Sequence, residues 1–228
     1  MSEAFDAYRN TYEGLVSDSI AFSGLKHDFF LLAKVRFLAR LFAERFGAGY
    51  RPSLIDVGCG VGRMHPLLMP VVGDLAGSDV SAEAIDRAKA DNPGVDYRVG
   101  QAGPLPFADA SFEVTTAVCV VHHVQPPARD GFLAEMRRVT RPGGLVILIE
   151  HNPWNPLTRL AVARCPFDHD AVLLSARHAR HLLGKAGLAA VESRHFLVLP
   201  TAAPLAGRIE RGLQRIPIGA QYAAIGTA

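Results

Sequence analysis

Cysteine is scarce in this chain and nowhere closely paired: Cys59, Cys119 and Cys165 stand far apart, with no CxxC among them. That spacing excludes a disulfide framework and a sequence-local zinc site, and it fits a reducing compartment. An excess of one charge is also missing. Lys and Arg number 24 against 22 Asp and Glu, which leaves a net charge of +2 over 228 residues. A nucleic-acid partner would require a basic stripe, so none is expected. No run of about twenty apolar residues is available to span a bilayer, and the opening MSEAFDAYRNTYEG is polar and acidic, without the apolar core of a secretory leader. The expectation is a soluble, cytoplasmic protein with no nucleic-acid and no integral-membrane role. No internal repeat, low-complexity tract or linker is found, so residues 1–228 are expected to form a single domain.

What is present is an alternation of apolar runs and amphipathic stretches. HDFFLLAKVRFLARLFAERF has apolar residues at helical spacing and ends at Gly47 and Gly49. SLIDV (53–57), LAGSDV and VDYRV (95–99) read as strands, with a short helix in GRMHPLLMP and a longer one in SAEAIDRAKA, where Ser81 is the expected N-cap. FEVTTAVCVV (112–121) and LVILIE are nearly all apolar, and residues 126–140 between them read as a helix. Strands that apolar are covered on both faces, which predicts an α/β fold with a parallel sheet. Residues 151–167 read as an irregular, proline-rich segment. A helix over 175–186, a strand over 191–199, a helix in AGRIERGLQRI and a last strand in AQYAAIG follow. Ile209, Leu213 and Ile216 share one face of that last helix, expected to pack on the sheet; a membrane-surface or dimer face is the alternative.

The densest motif is LIDVGCGVGR (54–63), which follows an apolar strand with glycines at 58, 60 and 62. Three glycines in five residues predict backbone that approaches a ligand closely or adopts positive φ. A dinucleotide loop would require a third glycine where Arg63 stands. The acid inside the strand, Asp56, would repel a pyrophosphate and suits an amino group. Asp79, closing the second strand, is placed to accept hydrogen bonds from ribose hydroxyls. A nucleoside with an amino-acid tail matches both ends, and S-adenosylmethionine is such a molecule.

With these residues in view, the chain resembles the class I S-adenosylmethionine-dependent methyltransferases. LIDVGCGVGR and GSDVS resemble their first two motifs; QAGPLPFADASFEVTTAVCVVHHV and RRVTRPGGLVILIE resemble the stretches through the fourth and fifth strands. EHNPWNPLTR, CPFDHDAVLL and PIGAQY resemble a bacterial type 11 subgroup. The resemblance implies a Rossmann-like, doubly wound, seven-stranded, mostly parallel sheet with an antiparallel last strand and helices on both faces. It implies that Asp56 and the backbone of Gly58, Cys59 and Gly60 hold the methionine part, Asp79 the ribose, and Val80 the adenine. Gln101, with Ala102 beside it, stands where the family has an acid for the adenine amino group, and Cys119 and Val120 line the cofactor. Residues 1–49 would form a helical lid, 50–150 the cofactor-binding core, and 151–228 the substrate-side loop and C-terminal strands.

Methyl transfer to a hydroxyl or an acidic carbon requires a base, and histidine is suited to it. His122 and His123 follow the fourth strand and His151 follows the fifth. Because neighbours in extended chain point opposite ways, at most one of the first two should face the substrate, and His123 is the choice, with His151 as the second catalytic candidate. Asn152, Trp154 and Asn155 are expected to wall the acceptor pocket, and Tyr8, Tyr12 and His27 to reach it from the lid. Cys165, Asp168, His169 and Asp170 are metal-ligand types without ligand spacing, so no metal is expected. The expected activity is methyl transfer to oxygen or carbon of a small, lipophilic acceptor, by a monomer or homodimer. The alternative is a protein that binds S-adenosylmethionine without transferring methyl.

Overall fold

In the computed structural model, which describes Gly14 and residues 18–100, 103–199 and 204–228, one seven-stranded sheet runs through the molecule. Its strands are β1 (Leu54–Val57), β2 (Leu75–Asp79), β3 (Asp96–Val99), β4 (Phe112–Val118), β5 (Thr140–His151), β6 (Ala189–Phe196) and β7 (Gln221–Thr227). The order across the sheet is β3-β2-β1-β4-β5-β7-β6. The pairs from β3 through β5 are parallel, and β7 lies antiparallel between β5 and β6. This is the Rossmann-like, doubly wound, seven-stranded order with an antiparallel β7 that the sequence led us to expect.

Helices α1 (His27–Phe46), α2 (His65–Leu68), α3 (Ala82–Asp91), α4 (Arg129–Val139), α5 (Pro156–Arg164), α6 (Ala176–Lys185) and α7 (Pro204–Leu213) connect the strands. Alternation along the strands separates two cores. From β5, Val146 and Leu148 join Leu133, Met136 and Val139 of α4 and Leu182 and Leu183 of α6. Leu145, Ile147 and Ile149 point to the other face, against Leu31, Leu38, Leu41 and Phe42 of α1. Each such side chain contributes about 1.5–3 kcal/mol by leaving water. The stripe on α1 that predicts its helix is therefore the stripe it buries. Gly47, at φ 102°, ends it. Ser81 caps α3 as expected, its hydroxyl accepting from the Ala84 N–H at 3.1 Å.

Several expectations are corrected. β4 stops at Val118 instead of reaching residue 121, because Cys119 takes a left-handed conformation, φ 57°. Residues 151–167 are not irregular throughout: Asn155 caps α5 by accepting from the Thr158 N–H at 3.0 Å, and Pro156 takes the first helical position, where its missing N–H costs nothing. β6 begins at Ala189 and ends at Phe196, with Leu197 at φ 59° turning the chain away. α7 does lie against β6, as expected, with Leu213 half-buried; Ile209 stays 46% exposed, and Ile216 lies beyond the helix. Among the described residues, no helix is long and apolar enough to cross a membrane.

Candidate active site

β1 has parallel neighbours on both sides, and the chain leaves them in opposite directions, so a crevice opens over the carboxyl ends of β1 and β4. A cavity of about 1720 Å³ occupies it, bounded by the loop after β1, the ends of β2, β4 and β5, residues between 19 and 34, and part of α5.

The three glycines serve three different purposes. At Gly58, φ 77°, a Cβ would meet the Val120 side chain at 2.6 Å, so the glycine permits β1 to approach the β4 end. At Gly62, φ 69°, a Cβ would meet the Tyr97 hydroxyl at 2.3 Å. At Gly60, φ 53°, a Cβ would meet nothing within 4 Å: its main chain borders the cavity. The Gly60 N–H donates to Asp79 Oδ2 at 2.8 Å, and the Ser81 N–H donates to Asp79 Oδ1 at 3.0 Å. Two N–H donors leave this carboxylate further acceptor sites for ribose hydroxyls. Burial raises the Asp79 carboxyl, and the bonds from Ser81 and Gly60 oppose that rise.

Asp56 is buried and committed to its neighbours. Thr116 Oγ1 donates to Asp56 Oδ1 at 2.8 Å, and His65 Nε2 stands 3.4 Å from Oδ2. The other His65 nitrogen meets the Tyr97 hydroxyl. With Nε2 protonated toward the acid, Nδ1 accepts from Tyr97, a tautomer assigned from the network. Asp56 also borders the cavity, as do Cys59, Val80, Cys119 and Val120. Burial, with Asp56 and Asp79 nearby, raises the Cys59 thiol and keeps it protonated. The open main chain at Gly60 and the Asp79 carboxylate beside it, both on the cavity, fit S-adenosylmethionine, and Arg63 at the end of the loop lies 3.8 Å from Asp28. Gln101 and Ala102 lie outside the described residues, as do Tyr8 and Tyr12.

At the other end of the cavity, side chains replace main chain. His122 Nδ1 meets Glu150 Oε2 at 2.5 Å, and Glu150 Oε1 accepts the Val121 N–H at 2.8 Å. His122 and His123 each bring Nε2 to 3.4 Å from Asp168 Oδ1. The rule that only one of them faces the cavity fails here: beyond Cys119 the chain is turn, not strand, the two rings lie 4.2 Å apart, and both border the cavity. Burial lowers the His122 imidazole, but Glu150 and Asp168 outweigh it and bring it up to about 10. Burial and His122 hold His123 at about 4, so it is neutral. His151 bonds Cys119, whose thiol burial would raise but Lys34 and His151 bring down to about 7. For His151, burial works against the charged form and Cys119 outweighs it, raising its pKa.

Asn152 and Trp154 do not wall the pocket. Asn152 Nδ2 donates to the Pro217 and Gly219 carbonyls at 2.9 and 2.8 Å, and its Oδ1 accepts from Trp154 N–H, so it fastens loops together. Trp154 is 72% exposed. Asn155, the third residue expected in the wall, does border the cavity, together with Leu157 and Val162 of α5 and with Phe22, Phe29 and Leu197. His27 does border the cavity, and its buried Nδ1 has no hydrogen-bond partner. Gln221, which sequence reasoning missed, also borders it, with a buried, unpartnered Oε1 and with Nε2 at 3.5 Å from Cys119 Sγ. Asp168 was missed as a cavity residue because its partners lie some 45 positions away; His169 and Asp170 beside it are exposed.

Comparisons agree with this geometry. Residues 55–148 match a family model described as a methyltransferase domain, of type 11. A demethylmenaquinone methyltransferase of Beutenbergia cavernae is 30% identical over 149 residues, 64% of this chain and 61% of that protein. One of Renibacterium salmoninarum is 32% identical over 124 residues, 54% and 52% of the two chains. The matches thus span between half and two thirds of these relatives' length. A solved structure from Thermotoga maritima, described as an S-adenosylmethionine-dependent methyltransferase and possible histamine N-methyltransferase, superposes with a TM-score of 0.67. It covers 100% of this chain and 99% of its own at 21% identity, a likeness of fold. Residues 55–148 thus carry the match to the methyltransferase-domain family, and the chain around them follows the fold of the solved methyltransferase.

Proposed function

We propose that the protein transfers the methyl group of S-adenosylmethionine to an oxygen of a lipophilic small molecule. The observation that carries this reading is that one cavity runs from the Gly60 cradle to the apolar surface of Phe22, Phe29, Leu157 and Leu197. Gly58, Cys59 and Gly60 would hold the amino-acid end of the cofactor, Asp79 the ribose, and Val80 the adenine. Bound there, the cofactor supplies an electrophilic methyl on a sulfonium.

The chain's own task is to hold the acceptor oxygen in line, about 3 Å from that methyl, and to exclude water. His123 and His151 border this end of the cavity, and His151, paired with Cys119, would receive the hydroxyl proton as the O–CH₃ bond forms. His27 would offer its unpartnered nitrogen from the lid side. A carbon acceptor is the second reading, favoured by the relatives named demethylmenaquinone methyltransferases.

The test is incubation with methyl-labelled S-adenosylmethionine and a series of phenols and quinols of increasing alkyl length, followed by mass spectrometry and NMR of the product. The expected result is label on oxygen, faster for the more apolar acceptors, and lost in Asp79→Ala. Label on ring carbon would replace the oxygen assignment. Tight cofactor binding without S-adenosylhomocysteine from any phenol, quinol or bacterial metabolite extract would overturn methyl transfer in favour of a non-transferring use of the cofactor.

A further inference from the structure

At the acceptor end, three side chains of metal-ligand type converge. His122 gives its Nδ1 side to Glu150 at 2.5 Å, and that carboxylate is fixed in turn by the Val121 N–H at 2.8 Å. With Nδ1–H committed to Glu150, Nε2 faces Asp168 Oδ1 and becomes a ligand once its proton is displaced. His123 Nε2 points to the same oxygen. Both separations are 3.4 Å, and the ligand atoms of His122, His123 and Asp168 all lie within 4.8 Å of one another. Two imidazole nitrogens closing on one largely buried carboxylate oxygen require positive charge between them, which ring protons supply in the metal-free protein and a cation can replace.

The distances favour an ion. An N–H···O bond has its mode near about 2.9 Å. Two ligands about 2.1 Å from a tetrahedral metal stand about 3.4 Å apart. The outer carboxylate on the remote ring nitrogen of His122 is the support that metal-bound histidines receive. The loop that carries Asp168 is held in place independently of any ion, because the Val172 N–H donates to the His122 carbonyl at 2.9 Å and the Asp168 N–H to the Cys165 carbonyl at 3.0 Å. All three side chains border the cavity, so a coordination position remains open toward the acceptor.

We propose that His122, His123 and Asp168 bind one first-row divalent transition metal of the Zn²⁺ class, with Glu150 as the positioning residue behind His122. Two imidazoles and one carboxylate suit such an ion better than Mg²⁺ or Ca²⁺, which take oxygen ligands. The open position would take the acceptor's own oxygen and acidify its hydroxyl as a Lewis acid, with the proton passing to His151. That role rests on the methyl-transfer reading above; the ion site itself does not. The acceptor class it implies is a phenol or enol, a hydroxyl acidic enough to be held ionised on the metal.

The experiment is titration of the chelator-dialysed full-length chain with Co²⁺, read by visible absorption, with no cofactor or acceptor present. Expected are a four- or five-coordinate Co²⁺ band at one equivalent, displacement by Zn²⁺ and not by Mg²⁺, and no change in His169→Ala. Outer-shell losses cost about 10–100-fold in affinity, so Asp168→Asn and His123→Ala should each weaken Co²⁺ by about 100-fold or more. Because either variant could lose its fold, a second reading is made on the wild type: Zn²⁺ should raise its thermal midpoint, and Mg²⁺ should not. No visible band, or equal Co²⁺ affinity in a folded Asp168→Asn, would overturn the site in favour of protons alone between these groups. With the site established, methyl transfer that survives chelation unchanged would overturn the acceptor role by itself.

Discussion

Around Gly58, Gly60 and Asp79 the cavity wall is largely main chain, held by N–H groups on one carboxylate; around His122, His123, His151 and Asp168 it is ionisable side chains, held by one another. The first wall depends on backbone conformation and little on titration. The second concentrates buried charge, with Glu150 and His122 both about 1% exposed at the side chain. A protein that must recognise one constant molecule and one particular acceptor has use for both kinds of wall. The constant ligand can be met by rigid backbone, whereas the acceptor must be met by groups that can hold or move a proton.

The contrast can be broken from either side. The largest effect is expected from Glu150→Ala, which strips a buried ion pair of one partner and leaves His122 and the Val121 N–H unanswered; stability should fall by about 3–5 kcal/mol in denaturant unfolding. Asp79→Ala should instead leave much of the stability and weaken cofactor binding by about 2–3 kcal/mol, for two hydrogen bonds to a charged group; unchanged affinity in calorimetry would sink the ribose assignment. The glycines sharpen the division within the loop. Gly62→Ala collides with Tyr97 and should cost about 1–3 kcal/mol of stability, while Gly60→Ala meets open space, bears only about 1–2 kcal/mol of left-handed strain, and should act mainly on cofactor affinity. Equal stability losses in the two variants would refute the separation.

The smallest effect concerns His27, which burial, Lys34 and Arg63 hold at about 4 against 6.5 when unfolded. Its folded-state pKa is depressed, so the unfolded chain binds the proton first, and the stability it contributes above pH 6.5 is lost as pH falls toward 4. After solvent screening this amounts to about 1 kcal/mol or less near pH ~5.5. A melting-temperature series should fall less steeply between neutrality and that pH in His27→Gln than in the wild type; parallel curves would show that His27 titrates normally.

The same contrast explains what could be read from the amino acids alone. The glycine loop and Asp79 were legible because the conformations and the carboxylate they supply act within a few residues of one another. The histidine end was not, because Cys119 adopts a left-handed φ that no neighbouring residue announces, and this cancels the alternation that separated His122 from His123. Asp168 arrives from a distant loop, and Trp154 turns outward because Asn152, beside it, is consumed in fastening residues 217 and 219. The α5 helix did have a local signal, Asn155 followed by Pro156, which the surrounding prolines made resemble a loop.

One feature of the sheet bears on how the molecule assembles in time. β6 has β7 as its one neighbour, and β7 reaches its place only by passing between β5 and a strand made before it. β6 therefore cannot join the sheet alone. It must wait as an unsatisfied edge until residues 221–227 exist, then enter either as a ready-made hairpin or as a late addition. Such non-local pairing is slow to form, so the half of the sheet that carries Gln221 to the cavity should mature after the half that carries the glycines. Pulsed hydrogen exchange during refolding should find the β1 and β4 amides protected before those of β6, and the reverse order would contradict this sequence of events.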